Sequence, residues 1–208
     1  MKVAVLSDLF VTKDILENSF KKVFKSTGLN FEYVYLQDDW PVVPVQETDE
    51  ISEFVGDEDE TARVVQDVDI IITHTAPISE KVVSSAKNLK VLGVARGGPI
   101  NINWDACTKR GVPVLYAPGR NSGAVAEFTI GLMLSVSRNI ARSHTSLMRD
   151  KRWRGDLYTN SEVGNELNSS VVGLMGFGAI GRKVAAILQA FGAKVLVYDP
   201  YVLQEDII

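Results

Sequence analysis

The chain has 208 residues, enough for one large domain or two small ones, with 46% hydrophobic and 23% charged residues, an ordinary balance for a soluble protein. Its net charge is −4 and its one dense charge run, Glu47 to Glu60, is acidic, which repels phosphate backbones and argues against a nucleic-acid partner. Glycine, arginine and asparagine interrupt every apolar run short of the roughly 18 to 20 residues that a bilayer span needs, so no membrane partner is expected.

The first residues, KVAVLSD, read as a buried strand. Thr12 to Ser26 then carries Ile15, Leu16, Phe20, Val23 and Phe24 at helical spacing, and Gly28 closes that helix. FEYVYL is a second strand. Trp40 to Gly56, with Pro41 and Pro44, reads as a loop feeding an acidic helix near Asp57 to Asp67. VDIIITH, LKVLGVA and VPVLYAP are further strands, separated by the helices SEKVVSSAKN and INWDACTKRG. This alternation predicts a mostly parallel, twisted sheet. Asn121 or Ser122 is placed to cap one long helix reaching Arg149, with Gly155 as its outer limit. Its first half is apolar on almost every side, which predicts packing against a second subunit or burial within a larger domain. Residues 157–170 have no sustained period and read as a loop. Cys107 is the single cysteine and has no metal-ligand neighbours, so it reads, like His144, as structural. A lone cysteine and the absence of a basic stretch with a long apolar core after Met1 predict a cytoplasmic setting.

The densest chemistry lies at Val171 to Tyr201. VVGLMG is an apolar strand, Gly176, Gly178 and Gly181 follow as G-x-G-x-x-G, and RKVAAILQAFG continues as a helix. Gly176 permits the tight turn, Gly178 leaves room for a pyrophosphate, and Gly181 lets the helix approach the sheet. Ala179 and Ile180 would supply free helix-terminal amides to the phosphates. A second strand, AKVLVYD, ends in Asp199, 18 positions after Gly181, where a carboxylate binds both ribose hydroxyls and repels a 2′-phosphate. NAD is therefore favoured over NADP. The alternative is a tight strand–helix turn that binds nothing.

Four segments together resemble the D-2-hydroxyacid dehydrogenase family, which includes D-3-phosphoglycerate dehydrogenase and glyoxylate reductase. They are NLKVLGVARGGPININWDACTKRGVPVLYAPG, NSGAVAEFTIGLML, NELNSSVVGLMGFGAIG and VLVYDPY, in the family's order and spacing over about Ile70 to Tyr201. The resemblance implies an α/β protein with parallel sheets: a flavodoxin-like substrate domain over residues 1–101, then the first half of a Rossmann NAD-binding domain over 102–208. It implies an oxidoreductase using NAD on the CH–OH group of a D-2-hydroxy acid, phosphoglycerate dehydrogenase-like; a homodimer is expected separately, from the apolar excess of the long helix. It also implies that the amides of Gly97 and Gly98 hold the substrate carboxylate. Ile100 and Asn103 stand where the family usually has aspartate, and Arg96 and Pro99 replace small or aliphatic residues. Arg96 is placed either to contact a carboxylate or phosphate or to lie solvated at the surface, and His74 follows a strand end where parallel sheets place ligand sites. The family's catalytic Arg, Glu and His would lie beyond Asp199, so no residue is assigned a catalytic role. The expectation is a piece of a longer dehydrogenase, inactive alone, whose two nucleotide-domain strands are poorly covered; the alternative is a noncatalytic NAD-sensing or scaffold protein.

Overall fold

The computed structural model describes residues 1–40 and 45–207, and it divides into two compact units, Met1–Pro118 and Gly119–Ile208. The first unit runs β1 (Lys2–Ser7), α1 (Lys13–Phe24), β2 (Glu32–Gln37), β3 (Gln46–Glu47), β4 (Ser52–Phe54), α2 (Glu58–Val64), β5 (Ile70–Thr73), α3 (Glu80–Ser85), β6 (Val91–Val94), α4 (Trp104–Lys109) and β7 (Val114–Tyr116). Its main sheet is all parallel in the order β2-β1-β5-β6-β7, the flavodoxin-like order. β1 is apolar from Val3 to Leu6 because it is buried on both faces. Ala4 and Leu6 join Ile71 and Leu92 in a core shared with Val65 beyond α2, Val82 and Val83 of α3, and Ala106 and Cys107 of α4. Val3 and Val5 point the other way, toward Leu16 and Phe20 of α1.

The expected loop over Trp40 to Gly56 contains the short antiparallel pair β3–β4; the part of that expectation covering residues 41–44 lies outside the described residues. Asp57 caps α2 through its side chain, accepting from Glu60 N at 2.8 Å. The boundary expected between Asn101 and Ile102 falls instead after Pro118. α4 buries Ala106 and Cys107 in the first unit's core, and β7 pairs with β6, so both complete the first sheet rather than begin the second unit.

The second unit comprises α5 (Ser122–Ser137), α6 (Ile140–Met148), a 3₁₀ turn (Gly155–Tyr158), β8 (Val171–Met175), α7 (Ala179–Ala190), β9 (Lys194–Tyr198) and a second 3₁₀ turn (Gln204–Asp206). β8 and β9 are parallel neighbours joined through α7. Their inward residues Val172, Leu174 and Val195 share a core with Ala126 and Ile130 of α5 and Val184 and Leu188 of α7. The opposite face is open: Val171, Leu196 and Tyr198 are exposed, and Met175 is 92% exposed.

The single long helix expected from Ser122 to Arg149 is two helices. Arg138 N and Asn139 N close α5 onto Leu134 O and Val136 O, and Asn139 then takes the left-handed conformation, φ +55°. α6 restarts with Ser143 N donating to Asn139 O, while Asn139 Nδ2 donates to Glu162 O at 2.9 Å. Asparagine is among the few residues other than glycine that enter this backbone region, and here its amide is anchored across the unit by Glu162. Replacing Asn139 with Ala is expected to destabilise the second unit by about 1–3 kcal/mol, from left-handed strain and the lost hydrogen bond, whereas Asn139→Gly should cost less; denaturant midpoints of the two variants check the order.

Candidate functional site

β8 ends at Met175, and Gly176, at φ +105°, turns the chain toward α7. A side chain at that φ is strained. Gly178 forms the N-cap of α7, and a Cβ added to it would meet nothing within 4 Å. A Cβ at Gly181 would collide with the Gly176 carbonyl oxygen, so only glycine lets the first helical turn close on the loop. The helical ladder begins with Arg182 N donating to Gly178 O at 3.1 Å. The amides of Ala179 and Ile180 precede it, on exposed residues at the positive end of the helix dipole.

Asp199 follows β9 directly. Its Oδ2 accepts from Phe177 N at 2.6 Å and its Oδ1 from Tyr201 N at 2.8 Å. These backbone donors, Phe177 first, hold the carboxyl below the usual range. A carboxylate offers about four acceptor sites, so capacity is left for a hydroxyl ligand. The structure thus places Gly176 and Gly178 in the turn after β8 and Ala179, Ile180 and Gly181 in the first turn of α7, and it bonds Asp199, directly after β9, to the same turn. The open space at Gly178, the exposed amides and the ionised carboxylate fit the phosphate and ribose of a dinucleotide.

In the first unit, the carboxyl ends of the parallel strands gather a second set of polar groups. Asp8 follows β1, Asp38 follows β2, His74 follows β5, and Arg96 to Gly98 follow β6. Asp8 is buried: its Oδ2 accepts from Thr75 Oγ1 at 2.6 Å and meets His74 Nδ1 at 2.6 Å, while its Oδ1 accepts from Phe10 N and Val11 N. Burial alone would push Asp8 up, but the bonds from His74, Thr75 and Val11 outweigh it and hold the carboxyl at about 2. An ionised Asp8 only accepts, so His74 Nδ1 carries the proton and donates. Trp40 lies nearly parallel to the His74 ring at 6.4 Å, and Phe10 stands at 5.7 Å.

Asn101, fully buried, ties this cluster to the next loop. Its Nδ2 donates to His74 O at 3.3 Å and Ala76 O at 2.9 Å, and its Oδ1 accepts from Arg96 at 3.4 Å. The Arg96 guanidinium also donates to Glu53 O at 2.9 Å and pairs with the Glu53 carboxylate. Gly97 and Gly98 are exposed, a Cβ at Gly98 would meet nothing within 4 Å, and among the described residues neither amide has an acceptor.

Comparison with known proteins identifies the chain's relatives. Residues 130–207 match the family model described as D-isomer specific 2-hydroxyacid dehydrogenase, NAD binding domain. A putative 2-hydroxyacid dehydrogenase YoaD of Bacillus subtilis is 42% identical over 139 residues, covering 65% of this chain and 40% of that protein. A hydroxypyruvate reductase of Thermotoga maritima is 34% identical over 152 residues, covering 73% and 48%, and a D-3-phosphoglycerate dehydrogenase of Sus scrofa is 36% identical over 136 residues, covering 65% and 25%.

The chain belongs to the D-2-hydroxyacid dehydrogenase family.

It spans less than half the length of each of these curated relatives. The solved D-2-hydroxyisocaproate dehydrogenase structure matches 98% of the chain and 55% of its own, at 25% identity and a TM-score of 0.68. An NAD+-bound 3-phosphoglycerate dehydrogenase of Entamoeba histolytica, at 21% identity, matches 99% and 56% with a TM-score of 0.66 and supports the fold. Against this family background, Asp8, Asp38, Glu53 and Asn101 are the polar residues that sequence reasoning missed. Asp8 and Asp38 carried a local signal, each directly after a strand.

Asp38 is 9% exposed, and its Oδ2 has no hydrogen-bond partner among the described residues. Burial first, then Glu60, Asp8, Asp39 and Asp57, push its carboxyl up to about 6. The folded pKa lies above the unfolded value near 4, so Asp38 contributes stability that is full below about pH 4 and is lost as pH rises through about 6. Asp38→Asn should therefore stabilise the first unit at pH 7 by about 1–2 kcal/mol and flatten its stability between pH 4 and 6, as read from denaturant midpoints at several pH values.

Proposed function

We propose that this chain supplies the acid-binding edge and the adenosine-side cofactor loop of an NAD-dependent dehydrogenase that oxidises a D-2-hydroxy acid, or reduces the matching 2-keto acid, in the manner of the phosphoglycerate dehydrogenase-like members of its family. The observation that carries this reading is the β8–α7–β9 unit, in which Gly176, Gly178 and Gly181 shape the turn and Asp199 is bonded back to Phe177. NAD, once bound, supplies the hydride acceptor. The chain's own residues do the holding: Ala179 and Ile180 amides face the pyrophosphate, and the Asp199 carboxylate takes the ribose hydroxyls. In the first unit, Gly97 and Gly98 amides hold the acid's carboxylate, with Arg96 and His74 on the same strand edge. A cytoplasmic setting belongs to this reading, in line with the free, buried Cys107 thiol. Titration of the 208-residue chain with NAD and NADP tests it. The unaltered chain should prefer NAD, and Asp199→Ala should weaken NAD about tenfold or more while narrowing the preference; unchanged affinities for both would remove Asp199 from the site.

A C2 homodimer through α5 and α6 completes the proposal. Phe128, Leu132 and Val136 form one exposed apolar row along α5, and Leu147, Met148 and Trp153 are exposed on and after α6, a larger apolar surface than a helix facing solvent alone presents. Sedimentation over a wide concentration range should show a dimer that Leu132→Glu dissociates; a concentration-independent monomer for the unaltered chain counts against it.

A further inference from the structure

We propose that the Arg96–Glu53 pair reads a neutral, hydroxyl-bearing tail on the 2-hydroxy acid and disfavours a phosphorylated one. The proposal rests on the reading that Gly97 and Gly98 hold the acid's carboxylate. Arg96 precedes Gly97 directly, and Gly98 lies two Cα steps from Arg96, at most roughly 7 Å, so the pair belongs to the same loop as these amides and is the nearest charged pair along the chain for the tail of a three- or four-carbon acid anchored there.

An uncompensated arginine here would favour a second anion, since guanidinium and phosphate geometries match. Arg96 is not uncompensated. Its side chain is only 18% exposed, and its charge is met by the Glu53 carboxylate within the fold. Glu53 is held in place by its backbone as well: Arg96 also binds the Glu53 carbonyl, Ser52 N donates to Ile100 O at 2.9 Å, and Val55 N donates to Thr75 O at 3.0 Å. The segment that carries Glu53 runs from Gln46 to Glu60 without a lysine or arginine. A phosphate dianion arriving beside Arg96 therefore meets a neutral pair in an acidic surround, and the like charges oppose it.

A hydroxyl group finds the opposite situation. A guanidinium has five N–H donors, of which the contacts to Glu53 and Asn101 use three. The Glu53 side chain is 53% exposed, which leaves its second carboxylate oxygen as an acceptor. Donor and acceptor stand side by side, and a hydroxyl uses both. A methyl tail uses neither. Several relatives are named as D-3-phosphoglycerate dehydrogenases, so the proposal separates this chain from them by the charge of the tail.

The test is calorimetric titration of the 208-residue chain with D-lactate, D-glycerate and D-3-phosphoglycerate, with circular dichroism melts confirming that each variant is folded. D-Glycerate should bind several-fold more tightly than D-lactate, and D-3-phosphoglycerate at least tenfold more weakly than D-glycerate. Glu53→Gln, which removes the compensating charge, should raise the affinity for D-3-phosphoglycerate relative to D-glycerate at least tenfold. Arg96→Gln should abolish the preference for D-glycerate over D-lactate and gives a second route should Glu53→Gln fail to fold. Equal binding of D-glycerate and D-3-phosphoglycerate by the unaltered chain, or an unchanged ratio in a folded Glu53→Gln, overturns the proposal and leaves the Gly97–Gly98 reading standing. Binding of none of the three acids overturns that reading, and the proposal with it.

Discussion

Five strands that run the same way deliver all their carboxyl ends to one edge, and most of the first unit's chemistry follows from that. Parallel pairing requires a crossover between successive strands, so each chain segment must leave the sheet at the same edge and return from the other. Asp8, Asp38, His74 and Arg96 each occupy a position just past a strand end, and they become neighbours because of strand direction rather than sequence proximity. Among them, β1 and β5 flank the point where strand order reverses, the position at which open parallel sheets form a crevice. Asp8 and His74 meet there, 66 residues apart in the chain. A buried carboxylate in that crevice is stable only with its acceptor sites filled, which fixes the His74 ring and the Thr75 hydroxyl around it.

What was legible in the sequence was local. β1 and the β8–α7–β9 unit could be read because an apolar run, a glycine spacing and a terminal aspartate each act within a few residues of themselves. The break between α5 and α6 was not legible, since the apolar pattern continues across it and only the left-handed backbone of Asn139, stabilised by Glu162 more than twenty residues later, ends the first helix. The unit boundary was misplaced for a similar reason. Nothing local in VPVLYAP says that it will pair with β6 rather than start a new sheet. Glu53 was hidden in a run of carboxylates that reads as a solvated acidic surface. Its role becomes visible only when β4 is laid beside Arg96, 43 residues away.

The glycine turn between β8 and α7 shows how a shape that fits a dinucleotide is held by the chain's own bonds. Asp199 bonds to the amide of Phe177 inside the glycine turn, and Phe177 is itself buried, with Arg182 over its ring at 4.6 Å. The carboxylate therefore fixes the loop's position as well as offering itself to a hydroxyl. Ordering that is already present in the free protein does not have to be supplied at the moment of binding.

Cys107 adds a practical consequence. It is the chain's single thiol, it sits in α4 within the first unit's principal core, and burial pushes its pKa above the usual value. Thiolate chemistry at this position is suppressed while the core is closed. Labelling by a thiol reagent therefore proceeds at the rate or population of core opening, and it reports on the first unit alone because the second contains no cysteine. The protein carries its own clock for the local unfolding of one half of the molecule, read without added dyes or engineered probes.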